Sequence, residues 1–366
     1  MRTETEARKL SHLKISLKKQ IESRRSAGFD DISIVHKALP EINKDAIETS
    51  TTIFGHKLSA PIIIGPMTGG THEAQRINSV LAQTAERLGL GIGVGSQRSA
   101  LENRNLTYTY HVVREKAPNA LVFANVGCPQ LIKGNAVETA KAAIEMIDAD
   151  ALYIHLNALQ ESVQHEGETC FQTVLAKIGQ VVKAVEVPII VKETGAGISS
   201  DVAKKLKDIG VSGIDVSGAG GTSWAGVEYY RAKQVSDKLC ARLGQTFWNW
   251  GISTAASLVE VVMSTATTVI ASGGVRSGLD IAKSLALGAS AGSLALPLIR
   301  PALAGQRETE NFLRIIIEEL RTAMFLAGAK TVQDMRQVPT VVMGSTREWL
   351  SQRGFDTAAY ARRASF

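Results

Sequence analysis

The stretches SGAGGTSW at 217–224 and SGGVRSG at 272–278 decide how this chain is read. Each follows a β-branched run directly and is rich in glycine, which lets a backbone turn sharply or come close to a bound group. One such loop is as well read as a tight turn, because lone glycine motifs recur by chance. Two in consecutive repeats, both at strand ends, are better explained by a phosphate held on backbone N–H groups and a helix N-terminus. In the second loop Gly273 and Gly274 admit the phosphate and Arg276 adds charge. Ser277-Gly278-Leu279-Asp280 then opens a helix with its positive dipole end toward the loop. In the first, Ser217, Thr222 and Ser223 supply hydroxyl donors.

Outward from these loops, eight apolar runs alternate with amphipathic helical stretches. The runs are PIIIG (61–65), GIGVG (91–95), LVFANV (121–126), ALYIHL (151–156), PIIVK (188–192), GIDVS (213–217), TTVIAS (267–272) and AGSLAL (291–296). Eight βα units predict an α/β fold, a closed TIM (β/α)8 barrel forming a single domain over 1–366. Helices are punctuated by Thr71 as N-cap with Gly89 as stop, and by Ser200 as N-cap with Gly210 as stop. Two regions fall outside the repeat. Residues 1–50 are a polar, helix-prone, basic N-terminal extension, and 225–250 is an aromatic-rich insertion after strand 6, expected to be a lid or an interface. Trp224, Tyr229, Tyr230, Phe247 and Trp248 are expected either to be exposed there or, in a monomer, to pack internally.

Bulk properties are permissive. The formal charge is +6, which suits anionic small ligands as well as nucleic acid and decides neither. No run approaches the ~18 apolar residues of a membrane span, and the start lacks a secretory signal, so a cytosolic protein is expected. Cys128, Cys170 and Cys240 are widely spaced and read as reduced thiols, with Cys128 a packed thiol rather than a nucleophile.

The chemistry gathers at strand ends. Tyr153, His155 and Asn157 share one face of ALYIHLN, with Gln160 and Glu161 next in sequence. Lys192 ends an apolar strand, where a charge needs an anionic partner such as a ligand phosphate or an electron-rich ring. Ser96, Gln97 and Arg98 follow strand 2 and Asn125 lies at the end of strand 3. Arg98 offers a fork for a second phosphate. Glu161 suits magnesium, a hard cation that takes oxygen ligands; its plainer role is an exposed salt bridge.

Together RKxxHL (8–13), PMTGG (66–70), GSQR (95–98), Asn125, HLNALQE (155–161), VKETGAGIS (191–199), both glycine loops, WNWGIST (248–254) and ALPL (295–298) resemble the type 2 isopentenyl-diphosphate isomerases, flavin-dependent enzymes of isoprenoid synthesis. The resemblance implies reversible isomerisation of isopentenyl to dimethylallyl diphosphate on reduced FMN, with NADPH as reductant and Mg2+ on the substrate. It implies FMN contacts at Pro66, Met67, Thr68, Ser96, Asn125, Lys192, Ser217, Thr222, Gly274, Val275, Arg276, Ala295 and Leu296. Substrate would meet Arg8, Lys9, Ser96, Gln97, Arg98, His155 and Gln160, with Glu161 on the metal. In catalysis His155, Asn157 and Gln160 would position substrate and metal, and Lys192, beneath the ring edge, would favour the anionic reduced flavin. Alanine is expected where Pro66 stands and proline where Ser253 stands. The implied partners are a small diphosphate and further copies of the chain, as a tetramer or octamer, and neither nucleic acid nor membrane. An FMN-dependent oxidoreductase of the 2-hydroxy-acid oxidase type, or a non-catalytic phosphate-ligand sensor, shares the barrel and loops.

Overall fold

Eight parallel strands close into a barrel in the computed structural model, which describes residues 4–364. The outermost ends of the 1–50 extension and of the 1–366 domain lie outside those residues. The strands are β1 (Ile62–Ile64), β2 (Gly91–Gly93), β3 (Val122–Gly127), β4 (Ala151–His155), β5 (Ile189–Lys192), β6 (Gly213–Asp215), β7 (Thr268–Ala271) and β8 (Ala291–Leu294). They are the eight runs expected from the sequence, each paired in parallel with its neighbours, and β8 closes on β1 through Gly292 opposite Ile62. The helices that matter for the site are α1 (Glu4–Lys18), α2 (His72–Leu88), α3 (Ala158–Val163), α4 (Ser200–Asp208), α5 (Trp224–Gln234), α6 (Lys238–Thr246), α7 (Thr254–Ser264) and α8 (Gly278–Ala286).

Local signals place these helices. Thr71 caps α2 by accepting from the Ala74 amide at 3.1 Å, and Gly89 ends it at φ 62°. At α4 the expectation is one residue out. The N-cap is Ser199 without a side-chain bond, and the amide of Ser200 is taken by Glu260 Oε2 at 2.9 Å from α7. A tertiary carboxylate has replaced the local hydroxyl, which no nearest-neighbour rule detects. Ser253 stands at φ −58°, the angle a proline would impose at that N-cap.

Inside the barrel one layer is apolar. Ile63, Phe123, Tyr153, Ile190, Ile270 and Ala291 pack there with Ile53, Phe54 and Leu58 from a short hairpin (Thr51–Ile53 and His56–Leu58) beside Gly213 at the start of β6. The hairpin was missed in the sequence because its strands, TTI and HKL, carry one apolar residue each and form no apolar run. The insertion forms α5 and α6, which pack against each other, while α5 also meets α1 and α3. Its aromatics pack within the chain: Tyr229, Tyr230 and Trp248 meet edge to face with centroids 5.1–6.0 Å apart, and Trp224 meets His12 at 5.1 Å. Trp250, which was not singled out, is the exposed one at 63%. The three cysteines are free, and burial pushes the Cys128 thiol up to about 12, as befits a packed group. No helix among the described residues is long and apolar enough to cross a membrane.

Glu260 ties this shell together, accepting from Ser200 N, Trp349 Nε1 and Arg353 while fully buried. Truncation would strand those donors, so Glu260→Ala should cost about 3 kcal/mol of stability, read as a lower urea midpoint at unchanged slope. A midpoint within error of wild type would show that the cluster contributes nothing.

Candidate functional site

The strand ends open into one cavity, lined on one side by the two glycine loops and roofed by α1 and α5. Pro66, Met67, Thr68, Ser96, Asn125, Lys192, Ser217, Thr222, Gly274, Arg276, Ala295 and Leu296 line it, and so do Arg8, Lys9, Arg98, His155, Asn157, Gln160 and Glu161. Two expected residues do not. Gln97 is fully buried behind the wall, with Nε2 donating to the Ala143 carbonyl at 2.8 Å and Oε1 accepting from the Asn125 amide at 2.8 Å. It braces Asn125 and is not positioned to touch substrate. Val275 points into the core at 1% exposure, so only its backbone is available to the cavity.

The loops are glycine-rich first because they touch each other. A Cβ on Gly273 would stand 2.2 Å from the Gly218 carbonyl oxygen, and one on Gly221 would stand 2.4 Å from the Gly274 amide nitrogen. Gly273 and Gly274 also sit at φ 92° and 81°, which side chains disfavour. Among the described residues, neither amide donates to a protein acceptor. The start of α8 is different from the sequence reading. Asp280 takes the amides of Arg276 and Ser277, Ser277 takes that of Asp280, and Glu319 takes that of Gly278. The helix end is already capped, so an anion has the loop amides and not the first turn of α8. Arg276 is also partly committed, its guanidinium paired with Glu22 of the N-terminal extension.

On the opposite wall the extension brings cations. Arg8 lies 3.6 Å from Glu166, and Arg98 bridges Glu102 at 2.7 Å and Glu168 at 3.0 Å. Lys9 donates to the Ser96 carbonyl and the Tyr110 hydroxyl; burial and neighbouring Arg8 push its ammonium down to about 7. Between the walls stands His155. The amide nitrogen of Asn125 donates to the Val94 carbonyl at 3.0 Å, which turns the Asn125 oxygen to His155 Nδ1 at 2.8 Å. Nδ1 therefore carries the ring proton. Burial, then Lys192 and Lys9, push the imidazole down to about 3, so it is neutral near pH 7.

Glu161 is 6% exposed and, among the described residues, makes no ion pair, although the Arg8 charge reaches it. Its oxygens accept from Asn157 Nδ2 and the Glu168 amide, both at 2.7 Å, and burial raises its carboxyl. The salt-bridge alternative is thereby removed. A buried carboxylate facing a cavity with acceptor capacity to spare fits a hard cation. The free amides of Gly273 and Gly274, the nearby Lys192 ammonium and the apolar edge of Met67 and Leu296 likewise fit a phosphorylated flavin.

Glu228 escaped the sequence reading. It lies on α5, 1% exposed, and meets His12 Nε2 at 2.9 Å, Arg231 Nη1 at 2.6 Å and Gln160 Nε2 at 3.2 Å. Burial alone would raise its carboxyl, yet His12 and Arg231 outweigh this and hold it down at about 2. The only local hint was the i,i+3 spacing of Glu228 and Arg231.

With this geometry in place, likeness to known proteins becomes informative. Residues 14–105 and 135–340 match the model of the FMN-dependent dehydrogenase family. The isopentenyl-diphosphate delta-isomerase of Methanothermobacter thermautotrophicus is 49% identical over 98% of this chain and 99% of its own length. That of Pyrococcus furiosus is 48% identical over 96% and 90%. Among solved structures, a mandelate oxidase mutant with a monooxide FMN adduct superposes with TM-score 0.61 at 18% identity, covering 94% of each chain. A Pediococcus acidilactici lactate oxidase gives 0.64 at 18%, covering 91% and 87%. At that identity the oxidases show the fold alone. The chain belongs to the FMN-dependent dehydrogenase family and, within it, to the type 2 isopentenyl-diphosphate delta-isomerases.

Proposed function

We propose that the chain interconverts isopentenyl and dimethylallyl diphosphate, holding FMN against the glycine loops and the substrate diphosphate, with Mg2+, against Arg8, Lys9, Arg98 and Glu161. One observation carries this reading: the cavity has two separate anion-binding walls, backbone amides on one and side-chain cations on the other, with a neutral imidazole between them. A single phosphate ligand needs only one. FMN, when bound and reduced by NADPH, would supply an electron-rich ring able to take and return a proton.

The residues of the chain do the rest. Arg8 and Arg98 offer planar forks to diphosphate oxygens, and Lys9 adds a point charge. Glu161, fixed by Asn157, orients the metal ion. His155 carries its proton on Nδ1 and leaves Nε2 unprotonated; a bound diphosphate would offset the Lys192 and Lys9 charges that, after burial, disfavour its imidazolium. Gln160, held by ionised Glu228, is oriented at the cavity edge. Moving a proton between carbons develops positive charge in the hydrocarbon, which demands a dry site. His12, Leu13 and Trp224 supply that cover from the roof. Exposed Val235, Leu239 and Trp250 on and beside the insertion support a homo-oligomer, tetramer or octamer, seated through that surface.

The purified protein should be yellow. After reduction by NADPH or dithionite, with Mg2+, it should isomerise isopentenyl diphosphate without stoichiometric NADPH use; full activity with oxidised flavin, or none after complete reduction, overturns the reading. Glu161→Gln should raise the Mg2+ concentration for half-maximal rate at least tenfold, and an unchanged requirement would remove Glu161 from the metal.

Lys9 gives a pH signature. Burial and Arg8 hold its ammonium at about 7, below the ordinary lysine value, so it is mostly neutral at pH 8 and mostly charged at pH 6. Pyrophosphate should recharge it. Calorimetry in buffers of different ionisation enthalpy should show proton uptake at pH 8 that shrinks toward pH 6, and Lys9→Arg should abolish the uptake that varies in that window. Equal uptake at both pH values in wild type would exclude Lys9 as its source.

A further inference from the structure

Beneath the cavity floor lies a buried polar group that the proposed chemistry does not use. Across three adjacent strands, His155 pairs in register with Lys192, and Lys192 with Asp215. Lys192 lines the cavity, whereas Asp215 is fully buried below it. The Lys192 ammonium donates to the Glu193 carbonyl at 2.9 Å and stands 3.9 Å from Asp215 Oδ2. That is an ion-pair distance and too long for a hydrogen bond. Asp215 Oδ1 accepts from the Ser272 hydroxyl, while Oδ2 and the buried Tyr153 hydroxyl interact with each other without closing into a hydrogen bond of normal geometry. Buried acceptors and donors are nearly always satisfied, so an unfilled pair next to an ammonium calls for an explanation.

We propose that Asp215 is a positioning residue: a counter-ion tethered short of contact with Lys192, which offsets part of the ammonium's field and so sets how much positive charge the floor presents to bound FMN. The inference rests on the FMN reading above. A carboxylate free to close on the ammonium would bind it and cancel its field, and one absent would leave that field whole. Ser272 and strand β6 hold Asp215 between these limits. Lys192 has three N–H groups; one is fixed on Glu193, one faces toward the reach of Asp215, and one remains for the cavity. Burial raises the Asp215 carboxyl and Lys192 opposes this, as expected for a pair that is close but not in contact.

A role limited to filling the barrel would leave the flavin potential alone, so that potential is the test. In Asp215→Asn holoenzyme the Lys192 charge is no longer offset, and reduced FMN should be held at least tenfold more tightly relative to oxidised FMN. This is a rise of about 30 mV in the two-electron midpoint. Ser272→Ala, which releases the carboxylate toward Lys192, should move the midpoint down, and it decides the matter if Asp215→Asn does not fold. An unmoved or lowered midpoint in Asp215→Asn, or a raised one in Ser272→Ala, overturns the inference while the FMN reading stands. Wild-type protein that takes up no FMN overturns both.

Discussion

The constraint on which this architecture turns is the change of polarity inside a closed barrel. Side chains alternate along each strand, so every second residue enters a space without water, and what it finds there depends on its layer. One layer is sealed by Ile63, Phe123, Ile190 and Ile270 with the hairpin residues Ile53 and Leu58. Near the strand ends stand His155, Lys192 and Asp215, in register across β4, β5 and β6. Charge at that level is tolerable only because acid and base are neighbours and because the cavity begins directly above. The chemistry of the site thus follows from where the apolar plug ends.

The second dependence is that of the loops on the extension. The loops after β6 and β7 contain glycines because they lie against each other, and the extension then clamps the pair from outside. Ser23 N donates to the Gly221 carbonyl and Ser223 N to that of Ile21, both at 2.8 Å, while Glu22 pairs with Arg276. Farther up, His12 on α1 meets Glu228 on α5. The residues that roof the cavity and those that shape its floor loops are therefore parts of one strap. The basic segment at Arg8 and Lys9 is carried to the cavity wall by contacts made on either side of it.

Much of this was legible in the sequence, for physical reasons. A barrel strand buried on both faces is an apolar run whatever its partners, so all eight were found, and the α2 caps were found because capping is local. Most of the cavity wall was found because strand ends in this fold converge. The failures share a cause. Ser199 replaced Ser200 because Glu260 reaches in from α7. Gln97 turned into the core because the Ala143 carbonyl and the Asn125 amide wait there. Glu228 and Asp215 were passed over because an acid in a helix or strand is ordinary until tertiary structure buries it. Apart from Arg231 beside Glu228, each depends on partners 23–216 residues away, a separation at which no spacing rule operates.

That limit also bears on what separates this chain from its fold neighbours. The hydroxy-acid oxidases share the barrel at TM-scores near 0.6 with fewer than one residue in five in common, so the fold and its loop positions do not select the reaction. Here the selecting features lie on the wall opposite the glycine loops. An oxidase acting on a small 2-hydroxy acid needs one carboxylate clamp and a base that can take a proton. This cavity presents Arg8, Lys9 and Arg98, three basic side chains from two distant segments, around His155. Such a wall suits a highly charged, chemically inert head group that must be gripped while the reaction happens elsewhere on the molecule. On the opposite wall the glycine loops and the Lys192 floor leave room for the ring to which we assign the proton chemistry.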